Sequence, residues 1–183
     1  MDIREEKARL RSKIRLERRQ LDKDKRLVWD KLIEQKVFAL EEYQKAGTVF
    51  CYVSYGGEPE TRGILEKSLK LGKHLAVPKC LEKGVMEATL ITSLNQLREG
   101  RYGILEPAEG LETVGFDKID FAIVPAIAFA NDGRRLGQGG GYYDRFMAKT
   151  RAFTCGICYS RFVLEDIPTE SFDMNVMRVI TEK

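Results

Sequence analysis

The sequence predicts an α/β fold, a three-layer α/β/α arrangement with a mainly parallel sheet and two N-terminal helices. Three observations predict it. Two segments with helical spacing of apolar residues open the chain, and short apolar segments then alternate with helical ones. The most apolar segments do not alternate with polar residues, as is typical of strands covered on both faces. With 183 residues, 43% of them hydrophobic, the chain is large enough for a single domain over residues 1–183.

The first helix is predicted over residues 2–20 and the second over residues 22–43. Asp22 is the expected N-cap of the second helix, because a short acidic side chain accepts hydrogen bonds from the first free N–H groups. The first helix carries a narrow apolar stripe formed by Ile3, Leu10, Ile14 and Leu21.

A row of basic residues lies beside that stripe. Lys7, Arg11 and Arg15 recur every four residues and Arg18 follows one turn later, so the side chains stack along one helix face. A solvated face is the simplest interpretation of such a row.

The positive charge is concentrated at the N-terminus. The net charge is +3, yet residues 1–26 hold eleven Lys/Arg against six Asp/Glu. Because duplex-binding domains usually spread basic residues over their body, this pattern favours a compact anion such as a polyphosphate and predicts no nucleic-acid partner. An RNA-binding module using the first helix is an alternative, although no aromatic residue is interleaved with the basic residues of 1–26.

The remaining elements follow from short apolar runs and from helical spacing. After Gly47 the run from Thr48 to Val53 is β-branched and aromatic, which predicts a buried strand. Gly84 predicts a turn with Lys83 before the third strand. The predicted strands are 48–53, 75–78, 88–91, 121–125, 153–159 and 176–181, and the later helices are 60–71 and 142–149.

The composition also predicts a compartment. No apolar run approaches the ~20 residues that span a bilayer, and charges occupy the start, where a signal peptide has its apolar segment. We therefore expect a cytoplasmic protein with no membrane partner. Four cysteines are too few for a disulfide scaffold, and they are expected to be free thiols.

The segment most informative about chemistry is rich in glycine. It follows the most apolar predicted strand, and five of the nine residues from Gly133 to Gly141 are glycine. Glycine permits positive φ and lets the backbone approach phosphate oxygens, and a helix N-terminus after it favours anions. The segment therefore predicts a phosphate-binding loop, with Arg134 and Arg135 before it. A tight turn without a ligand is the alternative, since neither the P-loop nor the dinucleotide pattern is present.

Several other residues have two interpretations. Cys155 and Cys158 stand three apart on a predicted strand, so they face opposite sides and are expected to pack in the core. His74 is the only histidine, which leaves no His-based triad or metal pair without it. Tyr142 and Tyr143 are neighbours on a helix, so at most one is expected to face a ligand.

Ordered motifs along the chain resemble the 5-formyltetrahydrofolate cyclo-ligase family. The run from Arg135 to Arg145 is similar to the family signature. The other matching blocks are Lys7–Arg11, Glu58–Thr61, Val77–Pro78, Gly103–Pro107 and Val124–Phe129.

The resemblance implies an enzyme that uses ATP and Mg²⁺. It would convert a small-molecule substrate, 5-formyltetrahydrofolate, to 5,10-methenyltetrahydrofolate and release ADP and phosphate, as a monomer or weak homo-oligomer. A non-catalytic nucleotide-binding regulator that keeps the glycine loop is the alternative. Phosphorylation of the formyl oxygen followed by ring closure needs aligned cations and no protein nucleophile. Lys7, Arg11 and Arg135 are the expected catalytic cations.

The resemblance also implies the ligand contacts. ATP binding is implied for Lys7, Ala8, Arg9, Leu10, Arg11, Arg135, Leu136, Gly137, Gln138, Gly139, Gly140, Gly141, Tyr142 and Tyr143. Folate binding is implied for Val53, Glu58, Gln138, Gly139, Gly140, Gly141 and Tyr142. Metal binding is implied for Asp144 and Asp173. The chain departs from the family pattern at Phe162, Phe172 and Met177.

Overall fold

A computed structural model describes residues 2–82, 84–100 and 103–183. The helices are α1 (Ile3–Arg19), α2 (Lys23–Ala39), α3 (Glu41–Lys45), α4 (Arg62–Lys70) and α5 (Tyr142–Met147). The strands are β1 (Thr48–Cys51), β2 (His74–Glu82), β3 (Val85–Ile91), β4 (Leu97–Glu99), β5 (Leu105–Pro107), β6 (Thr113–Val114), β7 (Phe121–Val124), β8 (Ala128–Ala130), β9 (Arg135–Leu136), β10 (Phe153–Ile157), β11 (Val163–Leu164) and β12 (Arg178–Ile180).

Seven strands form the central sheet, in the order β12-β10-β7-β1-β2-β3-β6. The pairs from β12 to β2 are parallel, whereas β3 and β6 join antiparallel at one edge. Val49 in β1 stands opposite Leu75 on one side and Phe121 on the other. The mainly parallel sheet predicted from the sequence is therefore confirmed.

Residues of β1 alternate between the two faces of the sheet. Val49 and Cys51 pack in a core with residues of α1, α2, α3 and α4. Phe50 packs in a second core with Phe146 and Met147 of α5. Both faces of β1 are thus covered, which explains its continuous apolar sequence. The three-layer arrangement and the two N-terminal helices are confirmed.

The second helix is shorter than predicted. Asp22 caps α2 as expected, because its Oδ1 accepts a hydrogen bond from the Lys25 backbone N–H at 2.9 Å. The helix ends at Ala39, where Leu40 adopts an extended backbone and α3 begins. Tyr43 is buried in the core, and its Oη is 2.9 Å from Ser68 Oγ. The extended residue turns the chain, so that Tyr43 points into the core.

The structure also corrects several strand bounds. β2 continues to Glu82 and β3 begins at Val85, so the two form a longer hairpin than their apolar residues predict. Backbone pairing extends them through residues that are mostly exposed, such as Leu81, Glu82 and Val85, which core-facing apolar runs do not indicate. Lys83 in the predicted turn lies outside the described residues. Two small sheets, β11-β8-β9 and β4-β5, were not predicted, because their strands have only two or three residues.

The four cysteines are free, as expected, and three are buried. Burial raises the pKa of the Cys155 and Cys158 thiols to about 12, which is consistent with packing rather than redox chemistry. His74 is exposed at the start of β2. Among the residues that the structure describes, no helix has both the length and the apolar character to cross a membrane.

Candidate active site

A large cavity of about 1400 Å³ lies between α1 and the carboxyl ends of β1 and β7. Its walls include α1, the segment from Tyr52 to Glu58, the loop of residues 137–141 and the start of α5. Ligands of open α/β sheets bind at this edge, because loops from neighbouring parallel strands converge there. Most of the motifs identified in the sequence meet in this cavity.

The glycine loop joins β9 to α5 and needs glycine at two of its positions. Gly139 has φ 101° and Gly141 has φ 68°, values that side-chain-bearing residues rarely adopt. Arg11 of α1 donates from Nε to the Gly137 carbonyl oxygen at 2.8 Å, and Arg15 donates to the Gln138 side chain at 2.7 Å. These hydrogen bonds hold α1 against the loop.

Two ion pairs lie beside the loop. Lys7, only 5% exposed, contacts Asp173 and donates to Glu170 Oε2 at 3.1 Å. The hydrogen bond from Lys7 lowers the pKa of Glu170. Arg135 Nη2 donates to Asp144 Oδ1 at 2.7 Å. The cations predicted to bind phosphate therefore contact the carboxylates predicted to bind metal.

Arg134 and Arg135 are adjacent in sequence and point in opposite directions. Arg135 is buried and lines the cavity, and its Nε has no acceptor among the described residues. Arg134 pairs with Asp132 at 2.7 Å and with Asp166, away from the cavity wall. Successive residues of a strand face opposite sides, and Arg134 immediately precedes β9. Only Arg135 is placed to meet a ligand of this cavity.

Glu58 lines another part of the cavity wall, in the segment that follows β1. Its Oε2 accepts a hydrogen bond from the Tyr55 backbone N–H at 3.1 Å, and Gln138 contributes a side-chain hydrogen bond. Burial raises the pKa of Glu58, and the hydrogen bond from the Tyr55 backbone, followed by the positive charge of Arg18, opposes that shift. Val53, in the same segment, also lines the cavity. The carboxylate is thus held in place before any ligand binds.

Both tyrosines after the glycine loop line the cavity. That at most one of them faces a ligand stays a prediction. Tyr142 begins α5 directly after Gly141, and its hydroxyl donates to the Glu82 carbonyl oxygen at 3.2 Å. Tyr143 is packed beneath Arg135, whose guanidinium lies 6.0 Å from the ring centre. The two rings diverge along the helix turn but reach different parts of one wide cavity.

Four predicted ATP contacts do not lie on the cavity wall. Ala8 and Arg9 are exposed on the outer side of α1, whereas Leu10 packs against the core. Leu136 is fully buried beneath the loop. One face of a helix meets the cavity, so a continuous block of helical residues cannot all reach it.

Two residues of the basic row were underestimated. Arg15 and Arg18 line the cavity with Lys7 and Arg11, and Arg18 is buried. A solvated face is therefore the wrong interpretation for Lys7 and Arg18, which are buried, whereas Arg15 is exposed. The four-residue spacing was the available signal, but it does not show what the helix packs against. Arg26 of α2, which also lines the cavity, carried no sequence signal.

The three departures from the family pattern occupy different environments. Phe162 is buried and lies 5.4 Å from the Arg18 guanidinium, measured to the ring centre. Phe172 lines the cavity and is 61% exposed, while Met177 is 66% exposed and is not on the cavity wall. Only Phe162 and Phe172 are thus positioned to affect this cavity.

Comparison with known proteins agrees with this geometry. A model of the 5-formyltetrahydrofolate cyclo-ligase family matches residues 3–182. The chain belongs to the 5-formyltetrahydrofolate cyclo-ligase family. As a member of this cyclo-ligase family it is an enzyme, and the hypothesis of a non-catalytic regulator is set aside.

The cyclo-ligase has similar relatives in several organisms. It is 28% identical to the 5-formyltetrahydrofolate cyclo-ligase of Mus musculus, covering 94% of this chain and 92% of that protein. It is 31% identical to the protein of the same name from Mycolicibacterium smegmatis, covering 74% of each.

Solved structures are similar as well. The NMR structure of Aquifex aeolicus 5,10-methenyltetrahydrofolate synthetase matches with 33% identity and a TM-score of 0.86, covering 97% of this chain and 90% of that one. A 5,10-methenyltetrahydrofolate synthetase from Mycoplasma pneumoniae matches with 22% identity and a TM-score of 0.80 over 100% of both chains, which supports the fold.

Proposed function

We propose that this cyclo-ligase converts 5-formyltetrahydrofolate to 5,10-methenyltetrahydrofolate, with ATP and Mg²⁺, and releases ADP and phosphate. The observation that carries the proposal is the meeting of Lys7, Arg11 and Arg135 with a glycine loop in one cavity. The names of the mouse and Aquifex relatives support the same reaction.

The end of the cavity near the glycine loop suits the triphosphate of ATP. Positive-φ glycines keep side chains away from the backbone, and Lys7 and Arg135 provide buried positive charge. The Arg135 Nε that lacks an acceptor is a further donor for a phosphate oxygen. We assign the ATP phosphates to this end.

Asp144 and Asp173 would hold Mg²⁺. Both carboxylates line the cavity, and the Met174 backbone N–H, next to Asp173, donates to Asp144 Oδ1 at 3.1 Å. The described residues contain no group of three or more His, Cys, Asp or Glu side chains arranged to hold a metal. Two carboxylates nevertheless fit Mg²⁺, which keeps waters and phosphate oxygens as its other ligands. The ion would reduce the negative charge on the phosphates.

We assign the folate to the end of the cavity near Glu58. The carboxylate of Glu58 and the wall residues Val53 and Tyr143 combine an acceptor with apolar surface, as a ring bearing N–H groups requires. The formyl group would then lie between this end and the glycine loop, within reach of the γ-phosphate.

The reaction follows from the weak electrophilicity of a formamide. The formyl oxygen attacks the γ-phosphorus, the bond from that phosphorus to the β-phosphate oxygen breaks, and ADP leaves. The second folate nitrogen then attacks the activated carbon and loses its proton, and the carbon–oxygen bond to phosphate breaks. Lys7, Arg11 and Arg135 align the groups and stabilise charge on the transferring oxygens.

The test is an assay of the purified full-length chain with 5-formyltetrahydrofolate and MgATP. We expect the methenyl chromophore to appear together with equal amounts of ADP and phosphate, and to stop when EDTA removes the metal. ATP binding without any chromophore would overturn the proposal. RNA binding that weakens steeply with salt would instead favour the nucleic-acid alternative.

A further inference from the structure

A buried arginine of α1, Arg18, lines the cavity. Arg18 is 5% exposed, and its Nη2 donates to the carbonyl oxygens of Ala126 and Ile127, each at 2.7 Å. Its guanidinium also lies 5.4 Å from the centre of the Phe162 ring. These contacts fix the side chain beyond the carboxyl end of β7.

The contacts made by Arg18 satisfy only part of its guanidinium. Its Nε is buried and has no acceptor among the described residues, and burial lowers its pKa. Burying a charge costs free energy unless the charge is paired and hydrogen-bonded. Packing against Phe162 alone would therefore favour an apolar residue at this position.

Glu58 provides the missing reason for a charge. The loop before it packs directly on Arg18, since a Cβ built on Gly57 would lie 3.7 Å from Arg18 Cβ. Attraction to Glu58 is the largest contribution that opposes the lowered pKa of Arg18. Both side chains line the cavity.

The other groups around Glu58 do not replace Arg18. Arg26 of α2 donates to the Glu58 carbonyl oxygen at 3.2 Å and not to its carboxylate. Gln138 from the glycine loop is neutral. Tyr52 after β1 is buried and Tyr143 in α5 is half-buried, and the pKa values of both hydroxyls are raised by burial and by the charge of Glu58. Among the described residues, Arg18 is the cation whose charge favours the ionised form of this carboxylate.

We propose that Arg18 is a positioning residue for the folate site, whose buried guanidinium keeps the Glu58 carboxylate ionised and oriented toward the substrate. The proposal rests on the proposed function, which assigns Glu58 to folate. Arg18 acts through Glu58, and its own donors are directed to the carbonyl oxygens behind it.

A titration tests the proposal without requiring turnover. NMR of the labelled Glu58 carboxyl carbon in the unliganded protein gives its midpoint in wild type, Arg18→Leu, Arg18→Gln and Arg18→Lys. We expect the midpoint to rise by about one pH unit in the two neutral variants and to stay near wild type in Arg18→Lys. Two neutral variants are used because the test needs only one of them to fold. Thermal unfolding shows whether each variant is folded.

Arg161→Leu is the matched control. The Arg161 guanidinium also lies 5.4 Å from the Phe162 ring centre, but its Nη2 pairs with Glu17 at 3.3 Å on the surface. This variant removes a cation from the same ring without approaching Glu58. Its Glu58 midpoint is expected to equal that of wild type.

Kinetics provide the second readout. The acidic limb of kcat/KM for 5-formyltetrahydrofolate should move to higher pH in Arg18→Leu by the amount seen in the titration. A Glu58 midpoint unchanged in both neutral variants would overturn the role of Arg18. A wild-type protein that does not turn over would instead overturn the proposed function, and the titration would still be readable.

Discussion

Two parts of the cavity wall, near the glycine loop and near Glu58, hold buried positive charge in different ways. Near the glycine loop, Lys7 and Arg135 pair with carboxylate side chains. Near Glu58, Arg18 is held by backbone carbonyl oxygens and an aromatic ring. A carboxylate side chain can rotate away from a cation, whereas backbone carbonyl oxygens are held in place by the fold. The two kinds of partner therefore differ in how far they can move.

The largest effect is expected for Arg135→Ala. The substitution removes a buried donor beside the phosphate site and leaves Asp144 without its cation, so kcat should fall by about 100-fold or more. The neighbouring variant Arg134→Ala is the control, because that side chain pairs with Asp132 and Asp166 outside the cavity. Steady-state assays of both variants make the comparison. Similar kcat values in the two would contradict the assignment of Arg135.

A smaller effect is expected for Gly139→Ala. Its φ of 101° is strained for alanine, and the added Cβ would lie 3.7 Å from the Arg11 guanidinium. Gly110→Ala is matched, since Gly110 has φ 77° and open space around it. Both variants should lose about 1 kcal/mol of unfolding free energy. Only Gly139→Ala should also weaken ATP binding, by about tenfold, and calorimetry measures this affinity. Equal ATP affinities in the two variants would show that Gly139 is needed only for the backbone conformation.

Tyr159→Phe tests the rigidity of the cavity wall near Glu58. The Tyr159 hydroxyl donates to Asp30 Oδ1 at 2.7 Å and accepts from Arg26, which also holds the Glu58 carbonyl oxygen. Losing it should lower the unfolding free energy by about 1 kcal/mol and raise KM for folate. Tyr43→Phe, which removes a buried hydrogen bond to Ser68, should affect stability but not KM. Denaturant unfolding and kinetics measure both, and an unchanged KM in Tyr159→Phe would show that this network does not support Glu58.

The smallest effect is expected for Glu170, which pairs with Lys7. Lys7 lowers the pKa of Glu170 below its ordinary value of 4.5. A lowered pKa in the folded protein means that the interaction stabilises it above that value and is lost as the pH falls through the folded pKa. Glu170→Gln should therefore lower Tm slightly at pH 7, and the difference should be smaller at a pH well below 4.5. An equal Tm difference at both pH values would contradict this interpretation.

Prediction from sequence succeeded where the signal was local. The glycine loop, the N-cap at Asp22 and the apolar strand β7 each depend on residues within a few positions of one another. It failed where a distant partner decides the outcome. The break at Leu40 allows Tyr43 to reach Ser68, which the spacing of apolar residues alone does not show.

The basic row on α1 shows the same limit. The sequence places Lys7, Arg11, Arg15 and Arg18 on one helix face, and that much is correct. Whether this face meets solvent or a cavity depends on contacts such as the hydrogen bond from Arg11 to Gly137, which is 126 residues away in the chain. A buried arginine and a solvated one have the same sequence pattern.

The sequence by itself determined the α/β class, the position of the glycine loop and the family, because periodicity, glycine content and ordered motifs are properties of neighbouring residues. Only the tertiary structure decided which cations face the cavity and which carboxylate each one meets. Arg134 and Arg135 differ by one position, yet only the second lies at the cavity. Charge interactions depend on distance and burial, and both are set by how α1 packs against the loops of a sheet formed much later in the chain.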